Sequence, residues 1–167
     1  PAVFSDVPDG KWYTQAVNAM ANAGYLSGYP NGTFGPNRSV MRCELIQVLA
    51  RLSGATLGGR ETTFTDVPLS HWAYDAIALA QERGWVMGVG DNTFLPTKTM
   101  TRAEAVTAIN AFLGRVPDKD CIDANPTARF FLDVQPQAWY YYAVMEAAVS
   151  HTAVDTNLGE RWNSFTS

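Results

Sequence analysis

The sequence predicts an all-α fold assembled from three helix-loop-helix repeats, the third of them incomplete. Two observations carry that expectation. One ordered set of short motifs recurs at fixed spacing, and between the motifs small and apolar residues recur at helical period. The first element follows Phe4-Ser5-Asp6-Val7-Pro8, which returns as Phe64-Thr65-Asp66-Val67-Pro68 and, more loosely, as Phe131-Leu132-Asp133-Val134-Gln135. Six residues beyond each aspartate stands a tryptophan: Trp12, Trp72 and Trp139. Helices are predicted from Trp12 to Ala23 and from Trp72 to Arg83, the latter on the stripe Trp72, Ala76, Ile77, Ala80. Each ends at a glycine, Gly24 or Gly84, where a helix C-cap favours positive φ.

Tight loops follow, because Gly28-Tyr29-Pro30-Asn31-Gly32 and Gly88-Val89-Gly90-Asp91-Asn92 are dense in turn formers. They lead to Gly32-Thr33-Phe34-Gly35-Pro36 and Asn92-Thr93-Phe94-Leu95-Pro96. The second helix of the second copy opens at Thr101, whose hydroxyl and the Glu104 carboxylate form a capping box. Its predicted buried face is Ala105, Val106, Ile109, Phe112 and Leu113, matched in the first copy by Leu45, Ile46, Leu49 and Leu52. There Met41 replaces the threonine, so that helix start is expected to be weaker by about 1 kcal/mol unless Ser39 substitutes. In the third copy a helix is predicted from Tyr140 to Val149, and no Arg-x-Glu helix start follows before Ser167. The expected repeats are 1–60, 61–116 and 117–167, packed as one unit, because the helix pair of one copy cannot cover its own apolar face. The missing last helix is expected from sequence outside this chain or from another molecule, making the chain a monomer or an exchange-prone oligomer.

Composition bounds the function. Across 167 residues, 47% apolar and 17% charged content excludes a charged disordered tail, and a formal charge of -4 offers no bulk attraction to nucleic acid or anionic lipid. The N-terminus has no basic stretch followed by an apolar run, and no 18 consecutive apolar residues occur, so neither a signal peptide nor a membrane span is expected. Without an initiating Met the chain reads as a mature or excised piece, any export signal lying upstream. Cys43 and Cys121 show no metal-binding spacing, and a buried free thiol at Cys43 is expected over a Cys43–Cys121 disulfide. Catalytic signals are weak. His71 and His151 have no obvious Ser or Cys partner, and Glu44 and Glu104, the best pair for a glycosidase, are already assigned as caps. No enzyme activity and no cofactor are expected.

At the Phe-x-Asp-Val-Pro openings, the tryptophan six residues on, the Gly-Tyr-Pro-Asn-Gly-Thr-Phe-x-Pro loop and Thr101-Arg102-Ala103-Glu104, the sequence resembles the S-layer homology (SLH) family. The resemblance is strong over residues 4 to 53 and 64 to 114 and weak over 131 to 167. It implies a pseudo-threefold arrangement with a central helical bundle. It also implies noncovalent anchoring of an exported bacterial protein to a secondary cell-wall polysaccharide, often pyruvylated. A pyruvylated sugar presents a carboxylate beside a methyl group and a sugar face, so its binder needs a planar cation, an aromatic wall and closely approaching backbone. Arg42 and Arg102, Trp12 and Trp72, and Gly28 and Gly88 supply those groups. Arg at a helix start also places the ligand carboxylate near the positive helix end.

If adjacent copies form grooves, the first would hold Arg42 with Asp66, Trp72 and Gly88, and the second Arg102 facing Asp133 and Trp139. Asp155, standing where earlier copies have Gly28 and Gly88, would weaken the second. Plainer roles compete at several of these positions. Asp6, Asp66 and Asp133 organise the turn entering the first helix, the tryptophans at the heads of apolar stripes serve as core, and the glycines serve backbone geometry. The competing function is a structural protein-protein module of a surface assembly.

Overall fold

The computed structural model describes residues 3–126, 131–156 and 159–166, with the side chains of 159, 165 and 166 excepted. Pro1, Ala2 and Ser167, inside the expected repeat bounds, lie outside the described residues. The elements are α1 (Thr14–Asn22), α2 (Arg42–Leu52), α3 (Tyr74–Glu82), α4 (Arg102–Phe112), α5 (Lys119–Ala124), α6 (Tyr141–Ala148), β1 (Ser150–Thr156) and β2 (Gly159–Thr166). The fold is mainly α, and the first two repeats each supply the expected helix pair.

The first helices start two residues beyond their tryptophans, because a turn comes first: the Thr14 amide donates to Lys11 O and the Tyr74 amide to His71 O. They end as the glycines dictate. Gly24 and Gly84 have φ of 80° and 70°. Behind them the Tyr25 amide reaches Met20 O and the Trp85 amide Ala80 O, the outer bond of a Schellman motif.

Each aspartate of the opening motif clamps the loop of its own repeat. Asp6 accepts from the Phe34 and Gly35 amides, both at 2.7 Å, and Asp66 from the Phe94 and Leu95 amides at 2.8 and 2.7 Å. The clamp holds Leu95 at φ 57°, in the left-handed region, where the first repeat has Gly35. The Phe34 amide chiefly, with Gly35, holds the Asp6 carboxyl below its usual range. For Asp66 burial pushes upward, but the two amides and Arg42 outweigh it and the net direction is down.

The start of α2 departs from expectation. Met41 supplies no side-chain cap, and the Glu44 carboxylate completes only its half of the box, accepting from the Met41 amide at 2.8 Å. Ser39 is not the substitute. The Arg42 and Cys43 amides donate instead to Lys98 O and Pro96 O, both at 3.0 Å, in the loop of the second repeat. Thr101 and Glu104 form the predicted box at α4.

Helix α2 packs on α3 and α4 on α6, with α2 also touching α4. Cys43, Ile46 and Leu49 share the main core with Ala76, Ile77, Leu79, Ala80 and Phe94. Phe4, Val7 and Val17 form a smaller cluster under α1, leaving Ala16 and Ala19 exposed where α3 buries Ala76 and Leu79 beneath α2. The predicted face of α4 is corrected. Ala108 and Asn110 are its buried residues, with Asn110 donating to Ala143 O at 2.9 Å, while Ile109 and Leu113 face outward. Of the predicted face, Phe112 packs on the main core, its ring 5.0 Å from that of Trp85.

The third repeat ends in a hairpin, β1 antiparallel to β2 with a register shift at Thr152/Ala153, which the sequence reading did not anticipate. Trp162 packs on a cluster of Ile122, Tyr141, Met145 and Val149. Helix α5 was also missed, although Asp118 caps it through the Cys121 amide at 3.0 Å. Both cysteines are free, and burial pushes the Cys43 thiol up.

Two outcomes are expected. A fragment of residues 61 to 116 lacks the α2 residues that complete its core and should show little helicity by circular dichroism; cooperative melting with full helicity would contradict the shared core. Asp66→Asn should lower stability at pH 7 by about 1–3 kcal/mol. Because the folded Asp66 value is lowered, its contribution is present above the ordinary carboxylate range and lost as pH falls through the folded value. Urea titrations at decreasing pH should therefore show the gap between variant and parent closing.

Candidate functional site

Two grooves occupy equivalent places in the first two repeats. In each, the loop after the first helix forms one wall, the second helix of the same repeat another, and the tryptophan of the following repeat contributes the third side. Groove one, about 400 Å³, lies between residues 25–29, α2 and Trp72. Groove two, about 370 Å³, lies between residues 85–89, α4 and Trp139, with Arg42 reaching in from the first repeat. The glycines permit the close backbone approach. A Cβ on Gly28 would fall 2.7 Å from Thr33 O, and one on Gly88 2.8 Å from Thr93 O.

The two grooves differ in chemistry. Groove one is lined by Tyr25, Tyr29 and Trp72 and by two exposed arginines. Arg51 donates to Ser27 Oγ at 2.8 Å and Tyr25 O at 3.4 Å, and the Arg38 guanidinium lies 4.5 Å over the Tyr29 ring. Both cations are held against the wall with donors to spare, the arrangement an anionic, flat-faced ligand requires. Groove two is more apolar, with Trp85, Met87, Val89 and Met100, and its one cation is Arg42.

Arg42 is 5% exposed. Its Nε donates to Phe94 O at 2.8 Å and its Nη2 to Met87 O at 3.2 Å, while Nη1 lies 3.6 Å from Glu104 Oε1. Burial pushes its pKa down, with Glu104 and Asp66 pushing back. Glu104 is shared with Thr101 and Lys98. Arg42 thus ties the first repeat to the second. The amides at its helix start are also engaged, so the expected free positive helix end is not available there.

The proposed groupings are redrawn. Gly28 pairs with Trp72 in groove one, and Arg42, Gly88 and Trp139 meet in groove two; Trp72 does not line the groove of Arg42. Asp6 and Asp66 sit behind the loops as clamps. Arg102 and Asp133 are exposed, and among the described residues no hydrogen bond or ion pair joins them. The reason is common to both: the third repeat has β1 and β2 where a loop like that at Phe94 would accept Arg102 and be clamped by Asp133. Asp155, expected in that groove, lies on exposed β1. Trp12 is 92% exposed and lines neither groove. The expectation that the tryptophans are core is corrected for all three, because each precedes its helix in an outward turn. Arg38 and Arg51 were not singled out from sequence. Arg51 departs from the repeat, standing where the second copy has Ala111, whereas Arg38 recurs as the basic Lys98.

The S-layer homology domain family matches residues 3–45 and 63–106, the two repeats that carry the clamps and grooves. The chain belongs to this family. Among similar proteins, cell surface glycoprotein 1 of Acetivibrio thermocellus is 30% identical over 162 residues, 90% of this chain and 7% of that protein. The cellulosome-anchoring protein of the same organism is 31% identical over 92% of this chain and 34% of its own length. A surface layer protein of Brevibacillus choshinensis is 33% identical over 62% of the chain and 10% of its own length. This SLH chain therefore spans about a third or less of these relatives.

As Arg42 joins repeats, Arg42→Ala should destabilise the SLH unit by about 1.5–3 kcal/mol, while Arg102→Ala should stay within about 0.5 kcal/mol. Paired thermal melts decide it; equal Tm values would remove Arg42 from the interlock.

Proposed function

We propose that this SLH chain anchors an exported protein to the bacterial cell envelope by binding a secondary cell-wall polysaccharide, with a pyruvylated sugar as the favoured unit. The observation that carries this reading is groove one, where Arg38 and Arg51 stand beside Tyr25, Tyr29 and Trp72 along the Gly28–Tyr29 backbone. A guanidinium takes a ketal carboxylate through paired N–H donors, and aromatic faces take the methyl group and the sugar ring. Relatives described as cell-surface, cellulosome-anchoring and surface-layer proteins support placement at the cell surface and a role in attachment. Among the described residues no helix is long and apolar enough to cross a membrane.

The module acts without catalysis. Similar stretches occur within an amylopullulanase and an exoglucanase, where they cover 6% and 11% of the protein. Here Glu44 and Glu104 are committed to helix starts. In groove two Arg42 shapes the wall with Gly88 and Trp139. Arg102, Asp133 and Trp12 belong to positions whose partner repeat is incomplete. A second reading, a protein-protein module, is favoured by the open face of α1 at Ala16 and Ala19.

Isothermal titration with purified, protein-free cell-wall polysaccharide tests the proposal. Arg51→Ala and Trp72→Ala should each weaken binding by about tenfold, the worth of one charge-assisted or stacking contact, and Arg102→Ala should leave it unchanged. Chemical removal of the ketal should reproduce the Arg51→Ala loss, and recovered polysaccharide should be undegraded. Undiminished binding in both groove variants would overturn the site; no binding of any form would favour the protein-partner reading.

A further inference from the structure

Where the third repeat leaves the family pattern it buries a polar cluster. Glu146 on α6 stands where the second repeat has Leu79, and it is completely buried. Its Oε2 accepts from Trp162 Nε1 at 3.1 Å. Its Oε1 lies 2.8 Å from Arg115 Nη2 and 3.0 Å from His151 Nε2, yet no aligned hydrogen bond satisfies that oxygen. His151 Nδ1 is 2.7 Å from Val149 O, which can only accept, so Nδ1 carries a proton. In the neutral ring the Nε2 lone pair therefore faces both the Glu146 oxygen and Arg115 Nη2, which lies 3.1 Å from it. Two lone pairs 3.0 Å apart repel unless a cation screens them, and Arg115 Nη2 is the cation that now contacts both. Glu160 Oε2 stands 4.0 Å from the same nitrogen.

We propose that Glu146, His151 and Glu160 form a binding site for a divalent transition metal of the zinc type. Their ligand atoms all lie within 4.8 Å of one another. Ligands about 2.0–2.2 Å from zinc in a tetrahedron stand about 3.4 Å apart, so small side-chain movements bring all three onto one ion and leave a fourth position for water. The surroundings are those of a metal site. The bond from Nδ1 to a backbone carbonyl fixes the tautomer and aims Nε2 inward. Trp162 stacks on the His151 ring, centroids 4.0 Å apart, and holds the second Glu146 oxygen. The His151, Glu146 and Glu160 side chains are 2%, 0% and 15% exposed. Imidazole with two carboxylates suits zinc and balances its two charges.

Arg115 now provides the positive charge, one guanidinium against two carboxylates. Its side chain is 32% exposed, so it can swing outward when a metal enters. The surplus negative charge registers at Glu160, whose carboxyl is pushed up first by burial and then by Glu146. The ion would join α6 to β1 and β2, pinning the hairpin that replaces the end of the repeat.

Zinc chloride titrated calorimetrically into the chelator-treated 167-residue chain should show one saturable site, accompanied by a higher Tm. Glu146→Leu, which restores the residue of the second repeat and so should fold, is expected to weaken zinc binding by at least about tenfold. His71→Ala, outside the cluster, should not change it. Arg115→Met removes the competing cation and should tighten binding by a few-fold, whereas a cluster that is only a salt-bridge network would be destabilised without any gain in zinc affinity. Absence of one-to-one uptake, uptake indifferent to Glu146→Leu, or weaker binding in Arg115→Met would each overturn the site.

Discussion

Insertion of the start of α2 into the loop of the second repeat is the contact on which the rest depends. Three groups of the first repeat enter it together: the Arg42 amide, the Cys43 amide and the Arg42 guanidinium, which meet the carbonyls of Lys98, Pro96, Phe94 and Met87. The loop would otherwise leave four acceptors short of partners, and α2 would lack a cap because Met41 has no oxygen to offer. Each side satisfies the other, and Cys43 and Ile46 enter the shared core on the same helix. An arginine that looks like a ligand group in the sequence is therefore first a structural bolt. Its access to groove two is secondary to that role.

The interlock works only on a loop of fixed shape, and the aspartate clamp fixes it. Asp66 holds the amides of Phe94 and Leu95, which places the Phe94 carbonyl for Arg42 and adds a favourable charge behind the guanidinium. Asp6 prepares an equivalent loop in the first repeat. The third repeat keeps the aspartate and the tryptophan but not the loop, and the consequences spread from that one loss. Among the described residues Asp133 holds no amides, Arg102 enters no carbonyls, and no second helix covers Ala16 and Ala19 of α1. A hairpin with a buried carboxylate takes the remaining space.

Much of this was legible. The motif spacing located both helix pairs, the glycine C-caps and the Thr101–Glu104 box, but not the reach of Asp6 and Asp66 to a loop 28 and 29 residues on. Those it located are local relations within ten residues or a recurrence at constant offset. What failed was contact between repeats. Trp72 falls in phase with Ala76 and Ile77, so it reads as core, but it lies ahead of the helix, where the phase no longer applies. Ile109 and Leu113 are in phase on α4, yet Ala108 enters the main core and Asn110 turns to α6. The hairpin was missed because residues 150 to 166 match neither the repeat nor a strong helical stripe, and an incomplete repeat invites a search for what is missing rather than for what replaced it.

The same logic explains why Arg51 went unnoticed. A repeat is recognised by what recurs, and what recurs here is scaffold: clamp, cap, glycine and helix pair. Ligand chemistry is free to differ between copies once those are in place. Groove one gains its guanidinium at Arg51 where groove two has Ala111, and Tyr29 stacks beneath Arg38 where groove two has Val89. Two cavities of similar size on the same backbone therefore present different surfaces, one cationic and aromatic, the other apolar around a neutralised arginine. A formal charge of -4 over the whole chain is compatible with an anion site, because the field inside a groove is set by the few groups that line it. Recurring residues build the groove, and the departures from recurrence decide what it holds.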